Sequence, residues 1–228
     1  MNAIRTLIHQ AKFAHLFPFL AFVLMAQGWQ CQSIAQELRP IPANQVVWEH
    51  VGRIYLNPQT GKAIYAGYLT HITGLTDSLF AGMPGESSAH FTFSTDVISL
   101  TPLPSNGSVG LSFASAGTFN VYYNEAPTGD WRNPGTFSSG RLIATFVRAE
   151  SLLPQLGSIG FHSLSETLYS AHSITFDGQP LDFGRLTPNG ITFAQFLNST
   201  PLAGIANYPI SFAAAGTTTA IGGEIADR

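Results

Sequence analysis

The sequence predicts an all-β protein, an antiparallel β-sandwich with a closed β-barrel as the alternative, and three observations carry that prediction. The chain is 45% hydrophobic but only 10% charged, where a soluble domain carries about a quarter charged residues. Its surface must therefore be built from Ser, Thr, Asn, Gln and Gly. Next, 22 Gly and 14 Pro punctuate the text at short intervals between aromatic and β-branched runs, a pattern that favours strands over helices. Finally, several segments alternate with the period of a strand. Phe119, Val121 and Tyr123 share one face and Thr118, Asn120 and Tyr122 the other, while Leu142, Ala144 and Phe146 oppose Arg141, Ile143 and Thr145. Antiparallel layers with one apolar face either stack or close on themselves, and the sandwich is the first reading.

Arg5 and Lys12 precede an uncharged apolar run at 16–26. A basic start and a short apolar core fit a secretory signal peptide and fall short of a bilayer span. Ser33-Ile34-Ala35 supplies a small-x-small cleavage pattern, so residues 1–35 read as the signal peptide and 36–228 as a single all-β domain. Retention of the segment as an anchor is the alternative. The expected location is secreted or extracytoplasmic, periplasmic or extracellular, with no stable membrane span after cleavage. Cleavage also removes Cys31, the only cysteine, so the mature chain has no disulfide and depends on a packed core. The formal charge of -3 with no basic cluster excludes nucleic acid as a partner, because its binding needs a Lys/Arg footprint.

Taken in order, 39–44 is a lead-in marked by Pro40 and Pro42, and 45–56 reads as a first strand. Asn57-Pro58-Gln59-Thr60-Gly61 ends it with turn chemistry, and 62–72 returns as the second arm of a hairpin. The stretch 74–87 is irregular. A strand follows Ser88-Ala89-His90, a break is expected at 102–107, and 109–113 reads as a short strand. The second half echoes this order. Val121-Tyr122-Tyr123-Asn124 answers Ile54-Tyr55-Leu56-Asn57, and Ser170-Ala171-His172 answers the first Ser-Ala-His. The echo suggests an internal repeat at about 45–114 and 117–197. Within it, 152–168 is a long connection with a helical turn near Ser165, and Ser173 is a β-bulge that returns His172 to the face opposite Ile174 and Phe176. A C-terminal extension, 198–228, holds a closing or edge strand at 208–212 and a loose Ala/Thr tail at 213–219.

No enzyme signature is present. There is no His-x-His or His-Glu-x-x-His, no acidic calcium loop and no Gly-x-Ser-x-Gly around Ser138 and Ser139, so no metal and no cofactor is expected. His90 and His172 are candidates because their motif occurs twice, and Glu49 because an inward carboxylate would act as a base. His50, His71 and His162 read as structural. The leading ligand-binding candidates are Asp130, Trp131 and Arg132, in an insertion at 129–139 that lengthens the second hairpin. Long loops on rigid β-scaffolds carry function disproportionately, and a Trp flanked by charges suits a sugar ring or a protein partner.

The hairpin at Leu56-Asn57-Pro58-Gln59-Thr60-Gly61, followed by Gly74-Leu75 and Ala89-His90, resembles the strand pattern of chordin-type domains. The second half does not follow that pattern, and no family is assigned on it. The function expected from the sequence is a secreted, non-catalytic β-protein binding an extracellular glycan or protein through its loops. The rivals are a structural envelope or matrix component, and an enzyme with a pocket between the two halves. Oligomeric state is not specified by the sequence.

Overall fold

The computed structural model describes residues 39–222, all within one compact unit; the signal peptide assigned to 1–35, with Cys31, lies outside the described residues. The strands are β1 (Val46–Asn57), β2 (Lys62–Ile72), β3 (Phe91–Thr95), β4 (Ile98–Asn106), β5 (Val109–Ala114), β6 (Gly117–Tyr123), β7 (Arg141–Arg148), β8 (Ser151–Leu156), β9 (Ile159–Ala171), β10 (Ile174–Phe176), β11 (Gln179–Leu181), β12 (Ile191–Asn198), β13 (Leu202–Ile205) and β14 (Tyr208–Ala220). Neighbours run β1-β14-β12-β9-β7-β6-β3-β2, and β2 pairs back onto β1. This is a closed antiparallel barrel of eight strands with extra strands attached. The barrel alternative holds and the sandwich does not. The deciding strand is β14, which pairs β1 from Leu56↔Ile210 to Val46↔Thr219 and β12 from Leu197↔Ala214 to Ile191↔Ala220. Without it β1 and β12 would be open edges, which all-β proteins close or blunt.

That pairing corrects the reading of 213–219 as loose. Ala214, Thr218 and Ala220 are buried on the inner face, with Thr218 directly opposite Trp48. Small side chains fit where the wall passes a large ring. Three other expectations are also corrected. Residues 152–168 hold no helical turn; β8 and β9 form a hairpin that reverses at Gly157, at φ +57. The break expected at 102–107 is strand β4, which carries Pro102 and Pro104 along a stretch that meets β2 only at Lys62 and Ala63. Pro is tolerated in a strand where no ladder partner is needed. The bulge expected at Ser173 is a strand break. The chain leaves the barrel after Ala171, Ser173 donates a hydrogen bond to Asp182, and β10 and β11 form a separate small hairpin.

The two Ser-Ala-His copies occupy different places. The first leads into β3, whereas Ser170 and Ala171 end β9 and His172 lies beyond it.

Three walls of the barrel are single long strands bent once. β3 continues into β4 past Asp96 and Val97, β5 into β6 through Ser115 and Ala116, and β7 into β8 through Ala149 and Glu150. Above the bends β5 pairs with both β4 and β8, and these join β2 and β9 at their ends. The upper end carries the short turns at 58–61, 107–108 and 157–158. The lower end carries the long connections. There β10, β11 and one helical turn at Phe183–Leu186 close the barrel, and Asp182 caps the turn by accepting from the Gly184 N–H at 2.8 Å. Apolar rings fill this half: Trp48 meets Phe119, Phe146 and Phe183 at 6.2, 5.7 and 5.3 Å between centroids.

Gly52 and Gly67 face each other across β1 and β2, beside Phe93 on β3. A Cβ on Gly67 would lie 2.1 Å from the Val51 carbonyl oxygen and 2.7 Å from the Phe93 ring. The glycine pair is the recess that admits that ring to the core. Gly67→Val is therefore expected to lower stability by about 3 kcal/mol, read as a fall in the urea midpoint at unchanged slope.

Candidate functional site

The strand period sends Gly160, His162, Leu164 and Glu166 of β9 inward. It does the same for Ile191, Phe193, Gln195 and Leu197 of β12. Together with β1, β2, β4, β5 and β8 they enclose a partly open cavity of about 200 Å³ in the upper half of the barrel. Two walls of different character face each other. One is apolar, with Ile54, Leu56, Ala63, Ile98, Leu100 and Phe212; the other carries Glu166, His162, Gln195, Gln155 and Ser199 between leucines.

The bends below the cavity are held by Arg148, which is 3% exposed. Its Nε donates to the Thr118 carbonyl at 3.1 Å, Nη1 to the Ser115 carbonyl at 3.4 Å and Nη2 to Asp96 Oδ1 at 2.9 Å. Asp96 Oδ1 also accepts from the Thr118 N–H at 3.0 Å. Gly117 stands opposite Arg148, and a Cβ there would lie 2.4 Å from the Asp96 carboxylate, so only glycine lets the pair form. The Ser115 carbonyl at the bend in β5–β6 thus finds a donor, as buried backbone groups require.

Glu166 lies across from Arg148 on the neighbouring strand and is 1% exposed. Neither of its carboxyl oxygens has a hydrogen-bond partner, and the same is true of Gln195 Oε1, Ser199 Oγ and the Tyr65 hydroxyl. Burial pushes the Glu166 carboxyl up to about 8, against an opposing pull from the Arg148 charge. It is a neutral acid at pH 7, able to donate as well as accept. His162 contacts Ser151 at 2.7 Å through Nε2. Burial, then the Arg148 charge, draws its imidazole down to about 4. His50 is stacked on Phe193 at 4.4 Å without a partner on either nitrogen, and burial draws it to about 3. Both histidines are neutral at pH 7.

The candidates raised by the sequence lie elsewhere. Glu49 is exposed on the outer face of β1. His90 is half-buried below the barrel, its Nδ1 2.8 Å from the Asn124 carbonyl, and His172 is exposed after β9. None of the three lines the cavity. Trp131 is half-buried against the outer wall of β1 and β2. Its ring packs on Phe137 at 4.8 Å and Tyr68 at 5.9 Å. The Arg53 guanidinium sits 4.9 Å over it, and its carbonyl accepts from the Tyr55 hydroxyl at 2.7 Å. Asp130 and Arg132 pair with each other at 3.3 Å, Arg132 being almost fully exposed. The insertion is a strap on the barrel exterior, with Phe137 as its anchor.

The interior groups of β9 are hidden in the sequence because 152–168 reads as a connection. The signal was present: from Ile159 to Thr167 every second residue is Gly, His, Leu or Glu, a strand period with an acid on the apolar side. Among the described residues no group of three or more His, Cys, Asp and Glu could hold a metal ion, and no helix is long and apolar enough to cross a membrane. Comparison with known families, curated proteins and solved structures yields no match.

The three shifted groups make stability depend on pH in a defined way. Unfolded histidine binds a proton below about 6.5, whereas His50 and His162 in the fold stay neutral down to about 3 and about 4, so stability is lost as pH falls below 6.5. Unfolded glutamate releases its proton near 4.5, whereas folded Glu166 keeps it to about 8. The unfolded state then holds fewer protons, and stability falls as pH rises towards 8. From about 4.5 to 6.5 the two histidines outweigh the one acid. Stability is expected to peak near pH 6.5 and to drop by about 2 kcal/mol by pH 8. In denaturant titrations across pH, Glu166→Gln should remove the alkaline limb and leave the acid limb in place.

Proposed function

We propose that the protein is an exported, non-catalytic binding protein that holds one small molecule in the upper half of its barrel. The observation that carries this reading is the cavity itself, with an apolar wall facing buried polar atoms that have no partner in the protein. Unpaired buried polar atoms cost about 1–3 kcal/mol each. A fold that keeps several of them around one space is suited to a ligand that satisfies them. Its volume of about 200 Å³ is below the ~300–1,000 Å³ of drug-sized sites, so the ligand is compact.

The binding role expected from the sequence is kept, and its seat is moved from Asp130, Trp131 and Arg132 to the interior, because the Trp131 ring is already engaged by Arg53, Tyr68 and Phe137. Catalysis has less support. Ser151 and His162 have the contact of a nucleophile and its base. Yet Ser151 does not line the cavity, the imidazole is a weak base at about 4, and Glu166 bonds to neither.

Ala114 is buried and lines the cavity from β5. The purified protein is expected to bind a neutral fluorescent probe such as N-phenyl-1-naphthylamine at one site. Ala114→Phe should weaken that binding by at least about tenfold while preserving a cooperative melt, and Trp131→Ala should leave it unchanged. Binding that survives Ala114→Phe and disappears in Trp131→Ala would return the site to the loop.

A further inference from the structure

We propose that the ligand of the barrel cavity carries a neutral hydroxyl head, as an aliphatic alcohol or a phenol does, and that this hydroxyl sits on the Glu166 carboxyl. The inference rests on the reading of the cavity as a ligand site and adds the chemistry of what enters it. Three kinds of head group are separated by the charges around Glu166.

An anionic head is disfavoured because the cavity offers it no free cation. Arg148 lines the cavity, but its charge is paired with Asp96 and three of its guanidinium N–H groups go to Asp96 and to the Ser115 and Thr118 carbonyls; both interior histidines are neutral. A carboxylate brought to Glu166 would meet either a like charge or an acid it must share a proton with, in a desolvated site. A cationic head is disfavoured because Glu166 is, among the described residues, the one acid that lines the cavity and it is neutral. The groups beside Glu166 on its other flank are Ile191 on β12 and, one strand further, Ala220 on β14, and the Asp96 carboxylate is already paired with Arg148, so no ionised acid is left for the head. An ammonium ion would have to leave water for a carboxyl that is itself neutral.

A hydroxyl meets the requirement from both sides. Protonated Glu166 presents one O–H donor and one carbonyl acceptor, both unused. One hydroxyl group accepts from the first and donates to the second, or donates to the Tyr65 oxygen, which also lacks a partner. The rest of the ligand then lies along Ile54, Leu100 and Phe212. No covalent step is involved, and the ligand leaves as it entered.

The test uses displacement of the neutral probe at pH 6.5 by hexan-1-ol, hexylammonium and hexanoate, which share one chain and differ in the head. Hexan-1-ol is expected to displace at a concentration lower by about five- to tenfold than either ion. Glu166→Gln, whose amide again offers a donor and an acceptor, should keep the affinity for hexan-1-ol; Glu166→Leu should raise the hexan-1-ol concentration needed by about fivefold while still binding the probe. Equal displacement by all three heads, or displacement by hexan-1-ol that is unchanged in Glu166→Leu, would overturn the assignment to Glu166. Stronger displacement by hexanoate or hexylammonium would show the head to be charged. Absence of any probe binding in the wild-type protein would instead defeat the cavity reading itself, so the two failures are distinguishable. If Glu166→Leu does not fold, Glu166→Met, which also lacks the O–H donor and the carbonyl acceptor, is read in the same way.

Discussion

Three adjacent strands of this barrel bend at one level, and the Arg148 guanidinium is what makes that bend stable. Each bend interrupts the ladder, and an interrupted ladder inside a barrel leaves carbonyls without donors. Arg148 supplies a donor to the Ser115 carbonyl and a second donor to the Thr118 carbonyl, which also accepts from the Asp96 N–H, and the Asp96 carboxylate neutralises it from a half-exposed position. Removing one partner of such a pair typically costs about 3–5 kcal/mol when both are buried, and less where one is hydrated as Asp96 is. The bend sets the level at which the packed lower half gives way to the hollow upper half. Below it, rings from Trp48, Phe119, Phe146 and Phe183 interlock; above it, inward residues such as Ala63, Ala114, Ser112 and Gly160 are too small to meet across the barrel.

The same charge shapes the chemistry of the hollow half. Arg148 faces Glu166 across one strand pair without bonding to it, so the acid feels an attractive charge and yet loses more to desolvation. The outcome is a neutral carboxyl beside a committed cation, an environment that tolerates neither a further positive charge nor a free negative one. Selectivity for an uncharged polar head follows from that arrangement. A rigid strand wall holds the groups in place, which is a better support for recognition than a mobile loop.

Much of the fold was legible in the sequence, and what was not has physical causes. Low charge, turn residues and alternation at 117–123 and 141–148 identified an all-β chain, and the first hairpin closes as its turn residues require. The closing strand at 208–220 is legible only to Phe212, because Ala, Gly and Thr at 213–219 carry no apolar period even though Thr218 lies opposite Trp48. The hairpin of β8 and β9 was missed because Gly157-Ser158 is a short, weak turn signal and because His162 and Glu166 break the hydrophobic alternation where the cavity begins. The site residues follow the same rule. Exposed or repeated side chains such as His90, His172, Glu49 and Trp131 drew attention, whereas inward polar residues on strands look like errors in a pattern until the barrel closes around them. A buried acid in register with leucines was the one legible sign.

The central claim is that the upper barrel is built around a ligand rather than around its own packing. A methyl-selective NMR titration of the wild-type protein with hexan-1-ol tests it most directly, because Ile54, Leu100, Leu153 and Leu164 line the cavity while Leu79, Leu181 and Leu186 lie in the lower core. The account predicts saturable shifts confined to the first group. Shifts spread evenly over the surface methyls, or no saturable shift in the first group, would contradict it.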